Sequence, residues 1–134
     1  MHFLVFLFRN GDIVKVVYLS LTGKTRQFVN KLGWDFIEIS KKNPTLQMKE
    51  PYIVITPTYG DQVANFFYEF IDFEENRKLL MGVAGSGNRN FNTSYCSNSK
   101  ELAKKYDVPL LHCFENQGTD KDVQILIEKV REIG

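Results

Sequence analysis

The sequence predicts a doubly wound α/β domain, a five-stranded parallel sheet in the order 2-1-3-4-5 with helices on both faces. Three observations carry this. Short apolar runs rich in β-branched and aromatic residues recur along the 134 residues, as strands do. Amphipathic stretches of helical period separate them. The runs are apolar throughout rather than alternating, as in strands covered on both faces. Right-handed crossovers then leave the doubly wound arrangement, whose ligands bind at the carboxyl ends of the strands.

The elements follow in order. Residues 13–19 form a buried first strand. Residues 25–32 form a helix with Phe28, Val29 and Leu32 on one face, and Gly33 sits just past its end. Residues 36–39 are a short second strand, and 41–50 a polar connection with one proline. The third strand, 52–56, is stopped by Pro57, which cannot donate to a ladder. A helix over 65–73 is marked by Phe66, Phe67, Phe70 and Ile71. A fourth strand covers 79–84 and leads into a Gly/Asn-rich loop. A helix over 97–106 turns Leu102, Ala103 and Tyr106 inward. The fifth strand is 108–114, and the last helix, 120–133, carries Val123, Leu126, Ile127 and Val130 at helical spacing.

The bulk numbers narrow the function. This length is one domain, large enough to bury roughly two-thirds of its unfolded surface. A net charge of +1 and scattered basic pairs such as Lys41–Lys42 and Lys104–Lys105 give no footprint for nucleic acid. The two cysteines, Cys96 and Cys113, have no metal-ligand spacing and read as reduced thiols of a cytoplasmic protein. Residues 1–8 are apolar but too short to span a membrane, and they lack a positive n-region and a small-residue cleavage site. Residues 1–13 are therefore set apart as an extension, either an accessory strand or tail or a stretch upstream of the functional start. Residues 14–134 form the single domain.

Function is to be sought in the loops after strands one, three and four. The first reads Ser20-Leu21-Thr22-Gly23-Lys24-Thr25. Hydroxyls, a glycine and a lysine at a strand-to-helix turn suit a phosphate on free helix amides. A plain helix cap by Thr22 or Ser20 is the alternative. A nucleotide P-loop is ruled out, because its first glycine would fall at Tyr18. A dinucleotide fingerprint is ruled out too, because Asn90 stands where the third glycine belongs after Gly85 and Gly87. The second loop, Pro57-Thr58-Tyr59-Gly60-Asp61, is a constrained turn whose aromatic can flank a flat ring. The third, Gly85 to Asn92 followed by Tyr95 and Cys96, is long and polar. Its Gly and Asn residues tolerate positive φ and can turn amides toward a heterocycle, with Phe91 and Tyr95 beside them. One loop for a phosphate and two for a flat polar ring make the constellation of an FMN site.

These motifs resemble a known family. Ser-x-Thr-Gly-x-Thr after strand one is similar to the flavodoxin phosphate loop. Pro57-Thr58-Tyr59-Gly60, the run Gly85-Ser86-Gly87-Asn88-Arg89-Asn90-Phe91, and Val108-Pro109-Leu110-Leu111 with Phe114-Glu115 resemble NrdI, the flavodoxin-like stimulatory protein of class Ib ribonucleotide reductase. The resemblance covers about residues 14–130. It implies a flavodoxin-like fold and FMN as cofactor. By position, Ser20, Leu21, Thr22, Gly23, Lys24 and Thr25 would hold the phosphate, and Thr58, Tyr59 and Gly60 would line the isoalloxazine. The Gly60 peptide is the one that would reorient on reduction. Ser86, Gly87, Asn88, Phe91 and Cys96 would border the other side and the pyrimidine edge. Two positions depart from the family: Lys24 stands where Asn is common, and Asn92 where Gly is common.

The resemblance further implies a role. Reduced FMN would convert O2 to a superoxide-level oxidant that passes to the reductase small subunit and assembles its dimanganese-tyrosyl radical cofactor. The partners implied are that small subunit and a reductase or other reductant for the flavin. No protein-borne catalytic residue and no bound metal are expected, since the flavin carries the chemistry. Lys24 and Arg89 against Asp61 make the loops slightly positive, which tolerates an anionic reduced flavin. The alternative is a flavodoxin-type one-electron carrier. A phosphoacceptor receiver domain fails, because the strand ends read Leu19-Ser20 and Thr56-Pro57 rather than carboxylates.

Overall fold

The computed structural model describes residues 14–40, 45–58, 61–87 and 96–133, excepting the side chains of 61–63. The elements run β1 (Lys15–Tyr18), α1 (Lys24–Leu32), β2 (Phe36–Glu38), β3 (Tyr52–Thr56), α2 (Asp61–Asp72), α3 (Asn76–Leu79), β4 (Leu80–Gly87), α4 (Ser97–Tyr106), β5 (Leu110–Glu115) and α5 (Asp120–Ile133). The five strands form one sheet in the order β2-β1-β3-β4-β5, every pair parallel. This is the predicted topology.

Side-chain alternation divides the core into two layers. Val14, Val16 and Tyr18 of the first strand region and Ile53 and Ile55 of β3 face one side. There they pack with Phe28, Val29 and Leu32 of α1 and Val123, Leu126 and Val130 of α5. Val17, Leu19, Tyr52 and Val54 face the other, against Phe67, Phe70 and Ile71 of α2 and Leu102, Ala103 and Tyr106 of α4. All five residues of β3 are buried, as its place at the centre of the sheet requires. Phe28 and Phe114 stack with centroids 3.8 Å apart and planes 14° from parallel, joining α1 to β5.

The structure moves several predicted boundaries. Of the expected first strand, 13–19, residue 13 lies outside the described residues, and the ladder covers Lys15–Tyr18, with Val14 and Leu19 beyond it buried. The fifth begins at Leu110 rather than 108, because Pro109 has no N–H for the ladder, while its carbonyl still accepts from Val83 N–H at 3.0 Å. Helix α2 starts at Asp61, before the expected 65. Helix α3 was not foreseen. It is anchored by the buried side chain of Asn76, which donates to the Leu46 and Phe70 carbonyls at 2.9 and 2.8 Å and accepts from Met48 N–H at 2.7 Å.

The largest change concerns β4, which runs on to Gly87 rather than ending at 84. Gly85, Ser86 and Gly87 pair with Cys113, Phe114 and Glu115 of β5. Gly85 and Gly87 are thus strand residues, and Gly85 has no positive φ. The glycine at 85 serves close packing instead: a Cβ there would overlap the Ser99 side chain. Among the described residues no helix is long and apolar enough to cross a membrane.

Candidate functional site

The carboxyl ends of β1, β3 and β4 lie side by side, and hydrogen bonds join the loops that leave them. After β1 the chain turns through Gly23 at φ 88°, a left-handed conformation natural to glycine, into α1. The first bond of the helix is Gln27 N–H to the Gly23 carbonyl, 3.1 Å. The amides of Lys24, Thr25 and Arg26 precede it and lie outside the helical ladder. Ser20 Oγ folds back over this turn, accepting from Gly23 N–H at 3.1 Å and Arg26 N–H at 3.4 Å.

The charge at this helix start is unusual. The first turn of α1 has no acidic residue and carries Lys24 and Arg26, whereas α5 begins with Asp120 and Asp122. Cations at a helix N-terminus oppose its dipole, and an anion there relieves both. Arg26 is held by Glu38 of β2 in a two-pronged ion pair, 2.9 and 2.7 Å, and Tyr18 donates to the same carboxylate at 2.6 Å. The Arg26 hydrogen bond holds the Glu38 carboxyl below its usual range against the effect of burial. Burial, reinforced by Glu38, pushes the Tyr18 hydroxyl up to about 12. The turn after β1 therefore has a donor set, a geometry and a charge that fit a phosphate.

Thr25, buried at 3% exposure, is the bridge to β4. Its Oγ1 lies 3.4 Å from Ser86 Oγ. The Ser86 carbonyl accepts from Thr58 Oγ1 at 2.9 Å, which brings in the chain after β3. Asn98 Nδ2 at the head of α4 donates to the Pro57 carbonyl at 3.2 Å. Cys96 Sγ lies 3.3 Å from the Gly85 carbonyl. Lys24 Nζ donates to Asn116 Oδ1 at 3.3 Å, and Asn116 N–H to the Gly87 carbonyl at 3.0 Å.

Of the residues singled out from the sequence, Ser20, Gly23, Lys24, Thr25, Thr58, Ser86, Gly87 and Cys96 thus lie in one connected edge. Leu21 and Thr22 sit in the same turn with exposed side chains. Tyr59, Gly60, Asn88 and Phe91 lie outside the described residues, as do Arg89 and the Asp61 side chain of the charge balance. Sequence reasoning passed over Asn98, Ser99 and Asn116. The first two are polar residues at the start of the buried stripe of α4 and were readable as inward-facing. Asn116 at φ 53° and Gly118 at φ 70° form a left-handed turn that Asn-x-Gly announces.

The sequence and the fold both match known proteins. The family model described as NrdI Flavodoxin like matches residues 16–128. The chain belongs to the NrdI family. Protein NrdI of Bartonella tribocorum is 45% identical over 113 residues, covering 81% of this chain and 86% of that one. Protein NrdI of Escherichia coli O1:K1 is 36% identical over 125 residues, covering 88% and 92%. Solved flavodoxins share the fold. Oxidised flavodoxin 2 from Bacillus cereus superposes with a TM-score of 0.64 at 16% identity, over 89% of this chain and 96% of its own. A short-chain flavodoxin associated with a bacterial microcompartment gives 0.62 at 16% identity, over 90% and 95%. Family and fold together imply a flavin.

Proposed function

We propose that this NrdI-family chain is an FMN flavoprotein of the cytoplasm. It supplies a superoxide-level oxidant for assembly of the dimanganese-tyrosyl radical cofactor in the small subunit of class Ib ribonucleotide reductase. The observation that carries the reading is the edge itself: a basic helix start with amides outside the ladder, hydrogen-bonded through Thr25 and Ser86 to the strand ends where a flat ring would lie. Bound FMN would supply electron transfer to O2.

The chain's own part is binding and orientation. Ser20, Leu21, Thr22, Gly23, Lys24 and Thr25 would hold the phosphate by amides, hydroxyls and charge. Thr58, Tyr59 and Gly60 would line one side of the ring, and Ser86, Gly87, Asn88, Phe91 and Cys96 the other side and the pyrimidine edge. Partners in the reading are the small subunit and a reductase or other reductant for the flavin.

The test is an FMN titration of the purified protein, followed by anaerobic reductive titration and a radical-assembly assay with the manganese-loaded small subunit. Tight binding, two electron additions that are not resolved from one another, and a tyrosyl radical that needs both O2 and this protein support the reading. Two widely separated additions with no radical formed would make the chain an electron carrier. Failure to bind FMN would remove the reading altogether.

A further inference from the structure

Cys96 and Cys113 are the chain's two cysteines, and both are free thiols. The fold sets them against each other. In the β4–β5 ladder Cys113 is the direct partner of Gly85. Paired residues of a parallel ladder point to the same face. The face of Gly85 is the one covered by α4, since a Cβ there would run into Ser99. Cys113 therefore points toward the head of α4, where Cys96 caps the helix.

Cys96 is pinned in that place. Its backbone is left-handed at φ 59°, and its carbonyl accepts from Lys100 N–H at 3.0 Å and Ser99 Oγ at 2.9 Å. Its sulfur lies 3.3 Å from the carbonyl of Gly85, the ladder partner of Cys113. Gly85 has no side chain to separate them.

The two thiols differ in ways that assign them roles. Cys96 is fully buried, and Cys113 is partly exposed. The neighbouring Cys96 lowers the Cys113 thiol against the effect of burial, with Ser99 and Lys100 assisting. The same proximity, with burial, raises Cys96. A thiolate is the sulfur nucleophile, and access decides which one meets an oxidant.

We propose that Cys113 and Cys96 form a reversible two-electron thiol–disulfide site, oxidised by hydrogen peroxide. The Cys113 thiolate attacks the peroxide, the O–O bond breaks, and with one proton a sulfenic acid and water result. The Cys96 sulfur then attacks the Cys113 sulfur, the S–O bond breaks, and the hydroxyl leaves as water with the Cys96 proton. In sum two thiols and one peroxide give one disulfide and two waters, and a dithiol reductant reverses it. The site does not depend on a bound flavin. The bond would tie β5 directly to the head of α4, beside the Gly85 carbonyl.

The test uses the full chain, reduced and freed of reductant, then exposed to hydrogen peroxide. Thiols are counted under denaturing conditions, alongside intact mass and a non-reducing peptide map. The expected result is a fall from two thiols per chain to none, a mass lower by two hydrogens, one peptide pair joining Cys96 to Cys113, and full recovery with dithiothreitol. Cys113→Ser should slow oxidation of Cys96 by about tenfold or more, since the accessible thiolate is gone. Cys96→Ser should leave Cys113 as a sulfenic acid that dimedone traps. Two thiols surviving excess peroxide, separate oxygen adducts on each sulfur of the unmodified sequence, or disulfide-linked dimers would each overturn the proposal.

Discussion

Thr25 is where the turn after β1 meets β4, and its hydroxyl is buried with only polar neighbours of the same edge to satisfy it. If FMN binds as proposed, that hydroxyl is placed to donate to a phosphate oxygen. A hydrogen bond to a charged group contributes ~1.5–3 kcal/mol. Thr25→Val should therefore weaken FMN binding by about 10- to 100-fold, read by flavin fluorescence on titration, with the fold retained by circular dichroism. Glu38 makes a different kind of prediction, since its partners are Arg26 and Tyr18. Its folded pKa is depressed, first by Arg26. The stabilisation it brings is thus present above the unfolded carboxylate range. It is lost as pH falls through the lower folded value. Glu38→Gln should lower stability at neutral pH and flatten the acid limb of a urea-midpoint-against-pH curve. A midpoint unchanged at neutral pH would mean that solvent screening cancels the pair.

At the level of elements, the connection between β5 and α5 shows how tightly a turn can be fitted. Gly118 has φ 70°, and a Cβ there would stand 2.6 Å from Phe28 Cδ1 and 3.1 Å from Phe114 Cδ2. Those rings are the stacked pair that joins α1 to β5. Gly33, which ends α1, has nearly the same φ of 71° but nothing within 4 Å of its added Cβ. Gly33→Ala should cost only the left-handed penalty, ~1–2 kcal/mol. Gly118→Ala should cost that plus ~1–3 kcal/mol of overpacking, a ranking that urea midpoints will check. The two glycines look alike in sequence, because what separates them is a long-range contact. The same limit explains the boundaries that moved. Strand order was legible because the apolar runs and helical periods are local, and the turn after β1 because its hydroxyls, glycine and lysine are contiguous. Gly85, Ser86 and Gly87 read as the start of a long polar loop by composition, yet pairing with β5 extends them, which no local pattern reveals. Asn76 read as one polar residue among many until burial made it the anchor of α3.

Across the whole molecule the candidate site draws on β1, α1, β3, β4, α4 and the turn after β5, so its ligand should report on global stability. A ligand that binds only the folded chain stabilises it by RT ln(1 + [L]/Kd), about 2.7 kcal/mol at 100 times Kd. For a domain of this length that corresponds to a Tm rise of roughly 8 °C. FMN should produce such a rise. Riboflavin, which lacks the phosphate, offers the ring edge the same surface but brings no anion to the helix start beside Lys24. Its shift at equal concentration should be much smaller. The gap should shrink as salt is raised, because the phosphate turn is exposed enough to be screened. Thr25→Val should narrow the gap further by lowering the FMN shift while leaving the riboflavin shift in place. Equal shifts for the two flavins would place the binding energy on the ring alone and remove the phosphate role from the turn after β1.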